Sequence, residues 1–292
     1  MRFETDRGQT MTTLFTDLNS YSEWRNAIPH DKTVGFVPTM GALHQGHISL
    51  VESAKRKCDY VVLSIYVNSL QFNSAHDYQR YPRTLDSDIA LCSDSHVAVV
   101  VAPSQSDIFP ESNVQIISPP SSAVGFEGVD RPGHFAGVTT VVDRLFSVVK
   151  PTHAYFGIKD YQQVAVITQM AAQLHPQITI CICETARDAD GLAMSSRNRF
   201  LTGETRLIAG LLPQALQAAI DKWREGSTAP ALIISTALDV LKRESKIDVQ
   251  YVSVVRKNTM DLVDIVGETD FIIAAVVIDG IRLIDNMQFT NA

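Results

Sequence analysis

Short apolar runs alternate with amphipathic stretches along the first half of the chain. Thr33 to Val37 reads as a strand, and the 3.6-residue spacing from Gly46 to about Lys57 reads as the helix that follows it. Tyr60 to Val67, Val97 to Val101 and Ala154 to Phe156 are further strand candidates, with helical patterns at Thr84 to Ser93, Gly137 to Val149 and Asp160 to Leu174. Strands that alternate with helices predict a Rossmann-like, doubly wound parallel α/β sheet.

After one more β-rich run, Ile178 to Cys183, the character changes at the polar, serine-rich stretch from Arg187 to Asn198. Two helical patterns follow, Gly203 to Arg224 and Pro230 to Glu244, and then strands at Val249 to Val255, Phe271 to Ile278 and Ile281 to Ile284. The pair Asp279-Gly280 makes the last two a hairpin. The expected organisation is a flexible extension over 1–11 with no assigned function, a Rossmann-like domain over 12–185 and a second, smaller α+β domain over 186–292.

Composition narrows the class of function. With 292 residues, 45% hydrophobic and 20% charged, the chain has the makeup of an ordinary globular protein. Its formal charge of -7 argues against a general nucleic-acid partner, which needs clustered cations. The 4 cysteines have neither C-x-x-C spacing nor scaffold density and read as buried thiols in a reducing compartment. No apolar run is long enough to span a bilayer, and Met1 to Thr10 lacks the apolar core of a signal peptide, so a cytoplasmic location without a membrane partner is expected.

The candidate chemistry begins directly after the Thr33–Val37 strand, with Met40-Gly41-Ala42-Leu43-His44-Gln45-Gly46-His47 leading into a helix. In an open α/β sheet, ligands collect beyond the carboxyl ends of the strands, and a helix N-terminus turns its free amides toward a phosphate. Glycines let the backbone approach, and the two imidazoles can donate to a polyphosphate. His44 and His47 can equally serve as turn and cap residues; zinc is less attractive, with no Cys or carboxylate at ligand spacing.

The H-x-G-H spacing at a strand-to-helix junction is similar to that of the nucleotidylyltransferase and class I aminoacyl-tRNA synthetase superfamily. Within it, Val37 to Val51 resembles the pantothenate synthetase (pantoate–β-alanine ligase) family, and further segments extend the likeness over nearly the whole chain. Asn68-Ser69-Leu70-Gln71-Phe72 resembles N-P-x-Q-F; Arg131-Pro132-Gly133-His134-Phe135 matches R-P-G-H-F; Phe156 to Gln163 resembles F-G-E-K-D-Y-Q-Q; and Asp190 to Asn198 matches D-G-L-A-x-S-S-R-N.

The resemblance implies a ligase that activates pantoate with ATP as an acyl-adenylate and joins it to β-alanine. It implies ATP on Met40 to His47, on Gly157, Ile158, Lys159 and Asp160, and on Ala186, Met194, Ser195, Ser196 and Arg197. It puts pantoate and β-alanine on Gln71 and Gln163, with Asn68 and the cationic donors Arg131 and His134 nearby. The phosphate-facing set becomes His44, His47, Lys159, Ser195, Ser196 and Arg197, each well-aimed donor being worth about 3 kcal/mol in the transition state. Mg²⁺ on the leaving phosphates and a homodimer are further family expectations.

Bland alternatives stand beside these assignments. Asp86 and Asp88 hold Mg²⁺ through water or simply favour the helix dipole, the dipole ranking first for each alone. Arg131 and His134 can be solvent-facing loop residues, Asp160 a helix cap and the Met194–Arg197 stretch an interdomain linker. Three positions depart from the family pattern. Ser69 replaces proline, which removes roughly 0.5–1 kcal/mol of preorganisation at Asn68; Ile158 replaces glutamate; and Ala186 replaces valine. A nucleotidylyltransferase that stops at the adenylyl or cytidylyl product, and a non-enzymatic nucleotide-binding protein, are the competing readings.

Overall fold

A computed structural model describes residues 12–110 and 114–291; the extension expected over 1–11 lies outside the described residues. The strands are β1 (Thr13–Phe15), β2 (Val34–Thr39), β3 (Tyr60–Ile65), β4 (Val99–Val101), β5 (His153–Gly157), β6 (Thr179–Cys183), β7 (Ile247–Val255), β8 (Phe271–Ile278) and β9 (Ile281–Gln288). The helices of the first part are α1 (Leu18–Ala27), α2 (Gln45–Lys55), α3 (Ala75–Arg80), α4 (Leu85–Asp94), α5 (Gln105–Ile108), α6 (Glu127–Asp130), α7 (His134–Val149) and α8 (Tyr161–Leu174). Those of the second are α9 (Gly203–Ala209), α10 (Leu211–Arg224) and α11 (Pro230–Leu241).

The chain divides into two compact units, one comprising 1–158 with 166–183 and the other 159–165 with 184–292. The first unit holds a six-stranded sheet in the order β1-β4-β3-β2-β5-β6, parallel throughout. From β2 the chain winds outward through β3 to β4 and then returns to β5 on the other side of β2. This places the topological switch point, where such sheets bind ligands, between β2 and β5.

The sequence itself opens the sheet there. The Tyr60 N–H bonds to Thr33 O and the Tyr66 N–H to Thr39 O, so the odd-numbered residues of β2 face β3; the Thr152 N–H bonds to Val34 O, so the even-numbered ones face β5. This alternation turns the Pro38 nitrogen, which has no hydrogen to donate, toward β5. The β2–β5 ladder covers Gly35↔His153 and Phe36↔Ala154, whereas β2–β3 pairing continues to Thr39↔Ile65. The strands therefore part at their carboxyl ends.

One face of this sheet packs Val37, Val61, Leu63, Val100 and Tyr155 against Leu50, Val51 and Ala54 of α2. Burial of this kind, about 25 cal/mol per Å² of apolar surface, fixes the helix whose start carries the histidines. The strand β1 was absent from the sequence expectation. It has 3 residues, too few for an alternation to show, and is defined by its pairing with β4.

In the second unit β7, β8 and β9 form an antiparallel sheet in that order, with Asp279 and Gly280 at φ 51° and 76° making the expected turn between β8 and β9. Helices α10 and α11 bury Leu212, Leu216, Ile220, Ile233 and Leu241 in a core with Ile272, Ala274 and Val276 of β8. The single helix expected over Gly203 to Arg224 is instead two, α9 and α10, meeting at Gly210. Pro213 has no N–H to offer Ala209 O four residues back, so it is tolerated only in the first turn of a new helix.

Candidate active site

The loop after β2 is held in an uncommon conformation. Gly41 and Ala42 both have positive φ, 78° and 52°, and Ala42 is 1% exposed. For alanine the left-handed region costs about 1–2 kcal/mol. The compensation comes from Asp88 on α4, whose Oδ2 accepts the Ala42 N–H at 2.9 Å and whose Oδ1 accepts the Leu43 N–H at 2.8 Å. The Thr84 hydroxyl adds a third bond to Oδ2 at 3.1 Å, and the Gly41 N–H is taken by Thr39 Oγ1.

The two carboxylates named for Mg²⁺ differ in their settings. Asp88 is buried with both oxygens held by backbone amides, while Asp86, two residues earlier on α4, is exposed. Positions i and i+2 of a helix face apart, so the two carboxylates point to different sides of α4. No group of three His, Cys, Asp or Glu able to hold a metal occurs among the described residues.

The loop delivers His44 as the N-cap of α2, with Nδ1 accepting the Gly46 N–H at 3.1 Å. His47 reaches back so that its Nδ1 accepts the His44 N–H at 3.3 Å, and the ring centroids lie 4.1 Å apart. Each Nδ1 is therefore an acceptor, which puts each ring's proton on Nε2. The caps orient the two rings at the start of α2. The neighbouring Met40, Leu43 and Gly46 are half-buried, and Gln45 is exposed at the first position of α2.

A second cluster gathers around the turn Ser69–Gln71. Asn68 is 1% exposed and caps that turn through Oδ1 to the Leu70 N–H, while its Nδ2 donates to Gln71 Oε1 at 3.0 Å and to Gly137 O at 3.1 Å. Asn68 is thus fixed by its own side chain, so serine at position 69 does not leave it loose. Gly137 permits this close approach, because a Cβ there would lie 2.4 Å from Leu70 O and 2.7 Å from Gln71 N.

Arg131, just after α6, and His134, the first residue of α7, close the cluster. Arg131 donates from one nitrogen to His134 Nε2 at 3.1 Å and from the other to Gln71 O at 3.3 Å, and His134 Nδ1 meets Gln71 O at 2.9 Å. A guanidinium only donates, so His134 Nε2 accepts and Nδ1 carries the proton. His134 is buried and, with Arg131, meets the backbone carbonyl of Gln71.

Gly157 ends β5 and Ile158 follows it at the switch point, with Gly157 opposite Cys183 on β6. In the second unit, Lys159 Nζ lies 3.5 Å from an Asp160 oxygen, its side chain 18% exposed. Tyr161 stacks on Phe271 at 4.1 Å and its hydroxyl accepts the Asn258 N–H; burial pushes this phenol up to about 12. Gln163 lies on α8, half-buried.

The segment Ala186 to Asn198 closes on a short antiparallel stem. The Met194 N–H bonds to Ala186 O, Arg187 bridges Ala193, and the Asp188 N–H bonds to Leu192 O. Arg206 clasps Asp188 and Asp190 and holds the Asp190 carboxyl below the usual carboxylate range. Beyond the stem, Ser195 caps a 3₁₀ turn by accepting the Arg197 N–H, and Arg197 is exposed.

Comparison with known proteins decides the lineage. The family model for pantoate-beta-alanine ligase matches residues 13–288. The chain belongs to the pantoate–β-alanine ligase family. It is 40% identical over 259 residues to the pantothenate synthetase of Sulfurihydrogenibium sp., covering 88% of this chain and 92% of that one. It is 44% identical over 264 residues to the pantothenate synthetase of Acidothermus cellulolyticus, covering 89% and 86%.

Among solved structures, the pantothenate synthetase of Thermus thermophilus superposes with a TM-score of 0.89 at 38% identity, over 96% of this chain and 100% of that one. The pantoate-beta-alanine ligase of Francisella tularensis, crystallised with beta-gamma ATP and beta-alanine, gives 0.81 at 34% identity over 96% and 99%. A parallel sheet with flanking helices and a small antiparallel domain is thus the architecture of this ligase family. No helix among the described residues is long and apolar enough to cross a membrane.

Among residues that matter to this geometry, sequence reading passed over Gly137 and the anchoring task of Asp88. A glycine at the very start of the expected Gly137–Val149 helix was the one available signal for the first. The second had none, because Asp88 is 45 positions from Leu43.

Proposed function

We propose that the chain carries out its family's ligation in two half-reactions, with the residues described above in named tasks. A pantoate carboxylate oxygen attacks the α-phosphorus of ATP, and the bond to the departing pyrophosphate breaks. The amine of β-alanine then attacks the acyl carbon, the bond to AMP breaks and the amine's proton is lost to solvent. No protein nucleophile is needed; the task is to align the reactants and spread the growing negative charge.

The observation that carries the reading is the pair of imidazoles whose Nδ1 atoms cap α2, an arrangement that leaves Nε2 of each neutral ring to carry the proton. Such rings, beside the amides of a helix N-terminus, are donors suited to a polyphosphate. Lys159, Ser195, Ser196 and Arg197 complete the phosphate-facing set, with Met40 to His47, Gly157 to Asp160, Ala186 and Met194 serving the nucleotide. Gln71 and Gln163 bind pantoate and β-alanine through carboxamides, which recognise a hydroxy acid without adding charge. Arg131, His134 and Asn68 fix Gln71 in place.

Magnesium would arrive with the nucleotide and neutralise part of its phosphate charge, as suits an ion that seldom receives an all-protein cage. The enzyme works in the cytoplasm as a homodimer on small molecules, without nucleic acid or membrane.

Pantoate-dependent exchange of pyrophosphate into ATP tests the reading. We expect exchange that needs pantoate but not β-alanine, is abolished in Lys159→Ala and falls at least about 100-fold in His47→Gln. Near wild-type rates of both half-reactions in His47→Gln would remove that histidine from the chemistry, and exchange without pantoate would favour a nucleotidylyltransferase.

A further inference from the structure

On β9, an edge strand of the second unit's sheet, two consecutive polar residues are almost completely buried: Asp285 is 2% exposed and Asn286 4%. Polar groups at such depth are costly unless bonded, so their partners indicate what they are for. The Asp285 carboxylate meets Arg187 in a fork, with nitrogen–oxygen distances of 2.7 and 2.9 Å, and also accepts the Asn286 N–H at 2.8 Å. Arg187 also donates to Gly191 O at 2.9 Å and to Asn286 O at 3.1 Å. Burial pushes the Asp285 carboxyl up, and the Arg187 guanidinium pulls it back toward the ionised form.

Asn286 faces another partner. Its Nδ2 donates to Lys159 O at 2.9 Å, a bond between residues 127 positions apart. One residue of the pair thus holds the backbone of Lys159. The other, through Arg187, holds the stem from which Met194 to Arg197 emerges, a stem that Arg206 clasps from Asp188 and Asp190. Both segments are therefore referred to one strand. This matters because a bidentate guanidinium–carboxylate pair fixes orientation as well as distance, and a carboxamide bond to a carbonyl fixes the turn that aims the ammonium.

We infer that Asp285 and Asn286 are positioning residues for the adenylation step, holding the Lys159 turn and the stem of the Met194–Arg197 segment in register with one another. The inference rests on the proposed phosphate-facing role of those two segments. Neither residue need touch a substrate. Displacing a phosphate-facing group by about 1 Å can cost up to about 100-fold in rate.

The test is pantoate-dependent pyrophosphate exchange in the full-length enzyme, measured with thermal unfolding for Asn286→Ala, Asn286→Gln and Arg187→Lys. Arg187→Lys keeps the charge beside Asp285 and so avoids the unpaired buried carboxylate that Arg187→Ala would leave. We expect Asn286→Ala and Arg187→Lys to lower the exchange kcat by about tenfold or more and to raise the KM for ATP, with the KM for pantoate within about twofold of wild type. Asn286→Gln, which retains the carboxamide, should recover part of the loss.

Wild-type kcat and ATP KM per folded molecule in Asn286→Ala and Arg187→Lys, with only the melting temperature reduced, would overturn the inference and leave these residues a purely structural task. Failure of the parent reading looks different: Lys159→Ala would then exchange at the wild-type rate.

Discussion

The buried carboxylate of Asp88 accepts the backbone N–H of Leu43 at 2.8 Å, and through its other oxygen that of Ala42. It thereby holds a left-handed alanine two residues before His44, the N-cap of α2. In Asp88→Ala both amides lose their acceptor in an enclosed setting, a loss on the order of 3 kcal/mol. We expect denaturant unfolding to show a loss of that size and pyrophosphate exchange to fall with it. Asp88→Asn, which keeps one acceptor oxygen, should lie between. The Mg²⁺ concentration giving half-maximal rate should be unchanged in Asp88→Asn; an increase of about tenfold or more would return this residue to the metal.

Gly137 sets the position of Gln71. A methyl group at residue 137 would overlap Leu70 O and Gln71 N, and backbone on both sides leaves little room to yield. Gly137→Ala should cost about 1–3 kcal/mol of stability by overpacking. It should also raise the KM for pantoate by about tenfold, with the ATP KM nearly unchanged. An unchanged pantoate KM would separate Gln71 from pantoate recognition.

Acid stability has a specific contributor at the foot of β2. Bonds from the Thr33 backbone N–H, the Thr33 hydroxyl and the Lys32 ammonium hold the Asp59 carboxyl down at about 2. A carboxyl depressed in the folded state stabilises it fully above its unfolded value near about 4, and that stabilisation is lost as pH falls toward the folded value. Melting curves of wild type and Asp59→Asn should therefore be well separated at neutral pH and converge between about pH 4 and pH 2. A gap independent of pH over that window would contradict the assignment.

The thiols behave differently from the sequence expectation of uniform burial. Cys92 is buried, whereas Cys58, Cys181 and Cys183 are half-buried, and none of these four is in a disulfide. Burial pushes the Cys92 thiol up to about 12 and raises that of Cys58. Because the thiolate is the reactive form, a disulfide reagent near pH 8 should modify Cys92 only at the rate of unfolding. Rapid modification of Cys92 in the folded enzyme would contradict its enclosure.

Much of this was legible in the sequence where the information is local. The passage from β2 through the histidine loop to α2 shows as a change of period, and the β8–β9 hairpin shows in Asp279-Gly280, a pair suited to positive φ. What was not legible rests on long-range bonds. The Arg187–Asp285 fork joins residues 98 positions apart, and nothing in the sequence around Asp285 announces its partner. His134 meets the Gln71 carbonyl 63 positions away, a contact that residue type alone does not announce. The break at Gly210 needed the geometry of Pro213 more than the hydrophobic spacing, which runs on unbroken.

The most direct measurement follows the oxygen atoms. With pantoate labelled with ¹⁸O in its carboxylate, attack on the α-phosphorus followed by amine attack on the acyl carbon must leave one labelled oxygen on AMP and one in the amide carbonyl of the product. We expect mass spectrometry to find that single label in AMP and none in pyrophosphate. Unlabelled AMP, or label in inorganic phosphate accompanied by ADP, would contradict an adenylate route.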